Sequence, residues 1–85
     1  MTYEIEVRPA ALRALKKIDR QHRARIRGAI ALLAADPRPP GAAALRGRKA
    51  LRIRVGDYRI IYTVEDQSLV VVIVTLGHRR DVYER

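Results

Sequence analysis

The sequence predicts an α+β domain of element order βααβββ: a mainly antiparallel sheet with a two-helix N-terminal hairpin packed on one face. Three observations carry that prediction. Leu51, Ile53 and Val55 alternate with Arg52 and Arg54, the period-2 signature of a half-buried strand, and Gly56-Asp57 follows as a two-residue turn into residues 58–62. Ile26, Ala29, Ile30 and Leu33 recur at i, i+3, i+4 and i+7, the cleanest helical spacing in the chain. Residues 69–76 (LVVVIVTL) are apolar on both faces, as a strand covered on both sides should be.

Taken in order, Tyr3-Glu4-Ile5-Glu6-Val7 alternates apolar and acidic residues and makes a short amphipathic strand. Pro9 suits the first turn of a helix, where its missing N–H costs nothing. Ala11, Leu12, Leu15 and Ile18 give that helix an apolar stripe opposite Arg13, Lys16 and Lys17. Asp19 is a candidate N-cap for a second helix over residues 20–35, and residues 36–41 (DPRPPG) stop it in a stiff loop. A two-residue hairpin loop sets Val55 against Tyr58, Arg54 against Arg59, Ile53 against Ile60, Arg52 against Ile61 and Leu51 against Tyr62. Gly56 in first position favours a type II′ turn. One hairpin face is then apolar and the other carries Arg52, Arg54 and Arg59. Residues 65–68 (EDQS) make a polar turn, Gly77 ends the last strand, and residues 78–85 form a tail. With no internal repeat and no second composition regime, residues 1–85 read as one domain.

Composition narrows the function classes. A net charge of +9 on 85 residues points to a polyanionic partner: nucleic acid, an acidic protein or an anionic membrane surface. The absence of cysteine removes disulfide frameworks and thiolate metal sites and agrees with a cytoplasmic protein. No apolar run approaches the roughly 20 residues that span a bilayer, and residues 1–4 begin a strand rather than a secretory leader. With two histidines and no acidic cluster, neither a metal nor a small-molecule cofactor is expected. Arg54 directly opposite Arg59 is destabilising unless the two share an anion, phosphate above all. A solvated basic face without a task is the alternative. Tyr58 and Tyr62 share the face of Ile60 and read as core, while His22 reads as helix surface or edge. Taken alone, His78 reads as a surface histidine and Tyr83 as an aromatic packed on the sheet.

The order βααβββ, the LRG at residues 45–47, the GDYRIIY at 56–62 and the closing LGHRRDVYER at 76–85 resemble the RelE/ParE superfamily of bacterial toxins. The tail resembles the RelE branch in particular. The resemblance spans essentially the whole chain and rests on two motifs, G-x-Y-R-hydrophobic-hydrophobic-Y and G-[HK]-R with V-Y close behind. It implies the toxin of a type II toxin–antitoxin system, with a RelB-like antitoxin as partner. It also implies an mRNA interferase: a metal-independent endoribonuclease that binds the ribosome, cuts mRNA and inhibits translation. In such toxins the ribose 2′-hydroxyl attacks the adjacent phosphate and expels the 5′-oxygen of the next nucleotide.

Carried over by motif, Arg59 and Arg79 would hold the phosphate and stabilise its added charge, and Tyr83 matches the proposed general base. Tyrosine has a reference pKa of about 10, and arginines close by favour its phenolate. Arg52 and Arg54 stand where the best-studied branch has lysines, and guanidinium, with a pKa above about 12, is a reluctant acid. The leaving oxygen is then either stabilised electrostatically, with Arg54 at hand, or protonated by His78, with Lys49 as a further candidate. Arg46, Arg48, Lys49, Arg52 and Arg80 complete the expected RNA-phosphate contacts. A ParE-like gyrase inhibitor and a non-catalytic nucleic-acid-binding module are the alternatives.

Overall fold

Pro9, Asp19 and Gly56 punctuate the chain as their chemistry suggests. The computed structural model describes residues 2–80. Its elements are β1 (Glu4–Val7), α1 (Pro9–Lys16), α2 (Arg20–Ala35), β2 (Ala43–Ala44), β3 (Leu51–Val55), β4 (Tyr58–Glu65) and β5 (Val70–His78). Pro9 is the first residue of α1. Just before it, the Arg8 N–H donates to the Ile73 carbonyl at 2.9 Å, which ties the helix entry to β5. Arg13 and Lys16 in the last turn offset the negative end of the helix dipole. Asp19 caps α2, its carboxylate accepting from the His22 backbone N–H at 3.3 Å.

The five strands lie in the order β1-β5-β4-β3-β2, antiparallel except for the parallel pair β1–β5. The β3–β4 register is the one that a two-residue turn dictates, from Val55 opposite Tyr58 to Leu51 opposite Tyr62. Gly56 takes φ +61° and Asp57 a negative φ, as a type II′ turn requires. Both helices cover one face of the sheet. Ala11, Leu15, Ile18, Ile26, Ile30 and Leu33 close there on Ile53, Ile60, Tyr62, Val71, Ile73 and Leu76. Tyr62 is fully buried, and its hydroxyl donates to the Pro37 carbonyl at 2.8 Å. Burial also raises its pKa, because phenolate is poorly solvated there.

Three features depart from the sequence reading. The strand β2 spans only two residues, too few for any periodicity to register. Gly77 does not end the last strand: it pairs with Arg59, and the next residue, His78, pairs with Tyr58. The third is a β-bulge. Tyr62 pairs with Ile73 but Ile61 with Thr75, so Val74 is an extra residue on β5. Val71 and Ile73 face the helices before the bulge, and Leu76 and His78 share that face after it. A strand apolar on both faces offers no alternation from which such a switch can be read.

Candidate functional site

The outer face of the sheet, away from the helices, takes its chemistry from the hairpin. Arg54 on β3, Arg59 on β4 and Gly77 on β5 form one cross-strand row. Arg52, Ile61 and Thr75 form the row beneath it. Directly opposed side chains start about 5 Å apart, so two guanidinium groups here repel unless an anion lies between or over them. Gly77 adds no side chain beside Arg59. Arg54 is exposed, whereas Arg52 and Arg59 are half-buried and the Nε of Arg59 is fully covered. This face is not purely basic. Ile61 is buried on it beneath Leu45 and Ala50, and the Leu45 N–H closes that small cluster on the Ala50 carbonyl at 2.9 Å.

The cluster holds the loop that carries Arg46, Arg48 and Lys49, all exposed. Arg48 and Lys49 line a groove of about 910 Å³ together with Glu65, Asp66, Gln67 and Ser68, toward the β4–β5 turn. Arg52 and Arg54 line a smaller one of about 340 Å³ with Pro40 and Gly41. Of the expected phosphate contacts, Arg48 and Lys49 thus line one groove and Arg52 another, while Arg46 and Arg80 line neither.

Arg79 leaves the end of β5, and its backbone N–H donates to the Asp57 carbonyl at 2.8 Å. That bond brings Arg79 to the hairpin tip, the end of the molecule where Arg54 and Arg59 stand. Arg79 and Arg80 are both exposed. Tyr83 lies outside the described residues. His78 is placed differently from the sequence reading, which puts it with a tail beside the arginines. Its pairing with Tyr58 turns it to the helix side of the sheet, away from Arg54 and Arg59. There its ring meets Tyr58 edge-on, centroids 5.8 Å apart, and its Nδ1 accepts from the Arg80 N–H at 3.2 Å.

Sequence reasoning missed three residues at this tip. Tyr58 packs on the margin of the core, as expected of it, but also contacts the His22 ring at 5.4 Å. His22 is fixed in turn by Asp19, whose carboxylate lies 2.6 Å from its Nδ1; this hydrogen bond is the main cause of a lowered Asp19 pKa. Arg25 reaches from α2 to the turn, its Nη1 3.6 Å from where a Cβ on Gly56 would stand. Continuing the β4–β5 pairing past Gly77 brings His78 to Tyr58; no sequence signal brings α2 to the hairpin tip. Among the described residues, no group of three or more His, Asp or Glu side chains is placed to hold a metal ion. None of the described helices is long and apolar enough to cross a membrane.

Known proteins resemble this chain in sequence and fold. The family model for the ParE toxin of the type II toxin–antitoxin system parDE matches residues 5–83. A RelE-like toxin protein of Escherichia coli is 30% identical over 88 residues, covering 98% of this chain and 92% of that protein. The archaeal RelE–RelB complex of Pyrococcus horikoshii OT3 contains a chain of TM-score 0.83 and 28% identity, with 96% of this chain and 100% of that chain covered. The toxin–antitoxin complex RelBE2 of Mycobacterium tuberculosis gives a TM-score of 0.79 at 26% identity, with 93% and 100% covered.

Proposed function

We propose that this chain, which belongs to the ParE family of toxins of type II toxin–antitoxin systems, is a ribosome-dependent endoribonuclease that cuts mRNA. The observation that carries the proposal is the cross-strand pair Arg54–Arg59, with Arg79 tied by its backbone to the same tip. Opposed guanidinium groups destabilise an isolated sheet and suit a phosphate, whose charge rises as the reaction proceeds. The ribose 2′-oxygen forms a bond to phosphorus while the bond from phosphorus to the 5′-oxygen breaks. The products are a 2′,3′-cyclic phosphate and a 5′-hydroxyl.

Tyr83, marked by the family motif, takes the proton of the 2′-hydroxyl. Arg59 and Arg79 stabilise the phosphorane. His78 would have to swing around the hairpin tip to reach the leaving oxygen, so that oxygen falls to the charge of Arg54, with water supplying its proton. Arg46, Arg48, Lys49, Arg52 and Arg80 contact flanking phosphates of mRNA or ribosomal RNA. The partner that silences the toxin is an antitoxin of the RelB kind, the partner found with RelE in the solved complexes; it covers some of Arg52, Arg54, Arg59 and Arg79 with carboxylates or with an apolar strand or helix. A toxin that acts on ribosomes works in the cytoplasm.

Mapping mRNA 3′ ends after induction, with and without ribosomes, tests this. Cuts confined to ribosome-bound message are expected. Tyr83→Phe keeps the ring and removes the hydroxyl, so cleavage should fall by about 10²–10⁴ with the melting temperature unchanged. The matching ParE family favours one second reading, a gyrase inhibitor acting by protein binding. Intact mRNA together with gyrase-dependent DNA breaks would decide for it.

A further inference from the structure

The helix side of the hairpin tip carries aromatic rings that the proposed cleavage does not use. His22, Tyr58 and His78 come from α2, β4 and β5 and touch in series, with centroids 5.4 and 5.8 Å apart. None is fully buried, and the His22 side chain is 45% exposed. Asp19 fixes the first ring from below, and the Arg80 N–H fixes the last. With its Nδ1 accepting that bond, a neutral His78 presents Nε2–H as a donor. Arg25 lies over Gly56 beside the rings, and Arg79 and Arg80 leave the strand just beyond them. Partly exposed rings with guanidinium groups close by match single-stranded nucleic acid, whose bases stack on aromatic faces while its phosphates take the cations.

Position supplies the second argument. Tyr58 and Arg59 are consecutive residues of β4 and lie on opposite faces at the hairpin tip. A strand of RNA whose phosphate rests on Arg59 has only to round that tip for its next base to meet Tyr58. Resting on the cleavage reading above, we infer that Tyr58, flanked by His22 and His78, is the stacking platform for a base of the mRNA next to the scissile phosphate, with Arg25 holding the adjoining phosphate.

The test is single-turnover cleavage by the full chain on ribosomes programmed with short mRNAs, each with one abasic nucleotide near the cut. Tyr58→Leu should slow cleavage of the normal message about 10- to 100-fold, the range typical of one lost base–aromatic stack, and Tyr58→Phe should match wild type. At one position the abasic message should slow wild type by a similar factor and leave Tyr58→Leu no slower than before. That non-additivity is the signature, because a variant that merely loosens the fold is slowed further by every defect in the message. If the two effects multiply independently at all positions, the platform is refuted while the cleavage reading stands. If wild type cuts no ribosome-bound message, the cleavage reading fails and the platform falls with it.

Discussion

The two ends of strand β4 use arginine in opposite ways. At the Glu65 end, the Arg38 guanidinium grips Asp66 with both amino groups, at 3.1 and 2.9 Å, and the Tyr3 hydroxyl donates to the same carboxylate at 2.7 Å. Arg38 is the leading cause that holds the Asp66 pKa down to about 2. One carboxylate thus joins the chain start, the loop after α2 and the β4–β5 turn. At the Tyr58 end, arginine faces arginine across the hairpin, and a third guanidinium lies over the turn. Charge matched within the chain orders the fold. Charge set against its like suits an anion such as phosphate.

The largest test of this contrast exchanges nothing but the end that is cut. Arg59→Ala should lower ribosome-bound cleavage by about 10²–10³ while ribosome binding falls far less, the usual loss when one preorganised charge is removed. Arg38→Ala should leave the cleavage rate at the wild-type value. Equal losses from both variants would erase the distinction between the ends. A smaller effect belongs to stability alone. Tyr62→Phe removes the bond to the Pro37 carbonyl and should cost about 1 kcal/mol in denaturant unfolding, with cleavage intact.

The smallest effect is a pH dependence. The folded-state pKa of Asp66 is below its ordinary value, so its contribution is fully present above about pH 4 and fades as pH falls toward about 2. The melting temperature of wild type should therefore exceed that of Asp66→Asn at neutral pH, and the two should converge in acid. High salt should narrow the gap as well, because the pair is exposed. A gap that persists unchanged to pH 2 would show that Asp66 acts by shape rather than by charge.

Local rules made much of this legible. The hairpin register followed from alternation and a two-residue turn, so the meeting of Arg54 and Arg59 was visible in the sequence. The helices followed from period and caps. What escaped was set by tertiary pairing. Tyr58 shares a face with Ile60 and does pack on the core margin, yet its contact with His22 depends on how α2 crosses the tip. The sequence names the loop cations but not their direction: the packing of Leu45 and Ala50 on Ile61 holds the loop so that Arg48 and Lys49 line a groove toward the other end. The side taken by His78 depends on the bulge at Val74, and no alternation in LVVVIVTL announces it.

That bulge makes the count of residues in β5 as informative as their identity. Between Ile73 and Gly77, residue count and bulge together decide which face the Gly-His-Arg motif addresses. A relative of the same length that paired there without a bulge could keep every letter of the motif, yet aim its histidine at the arginine face and its glycine at the helices. A relative one residue shorter needs no bulge to present the motif as this chain does. Deleting Val74 should therefore straighten β5 and leave His78 opposite Tyr58.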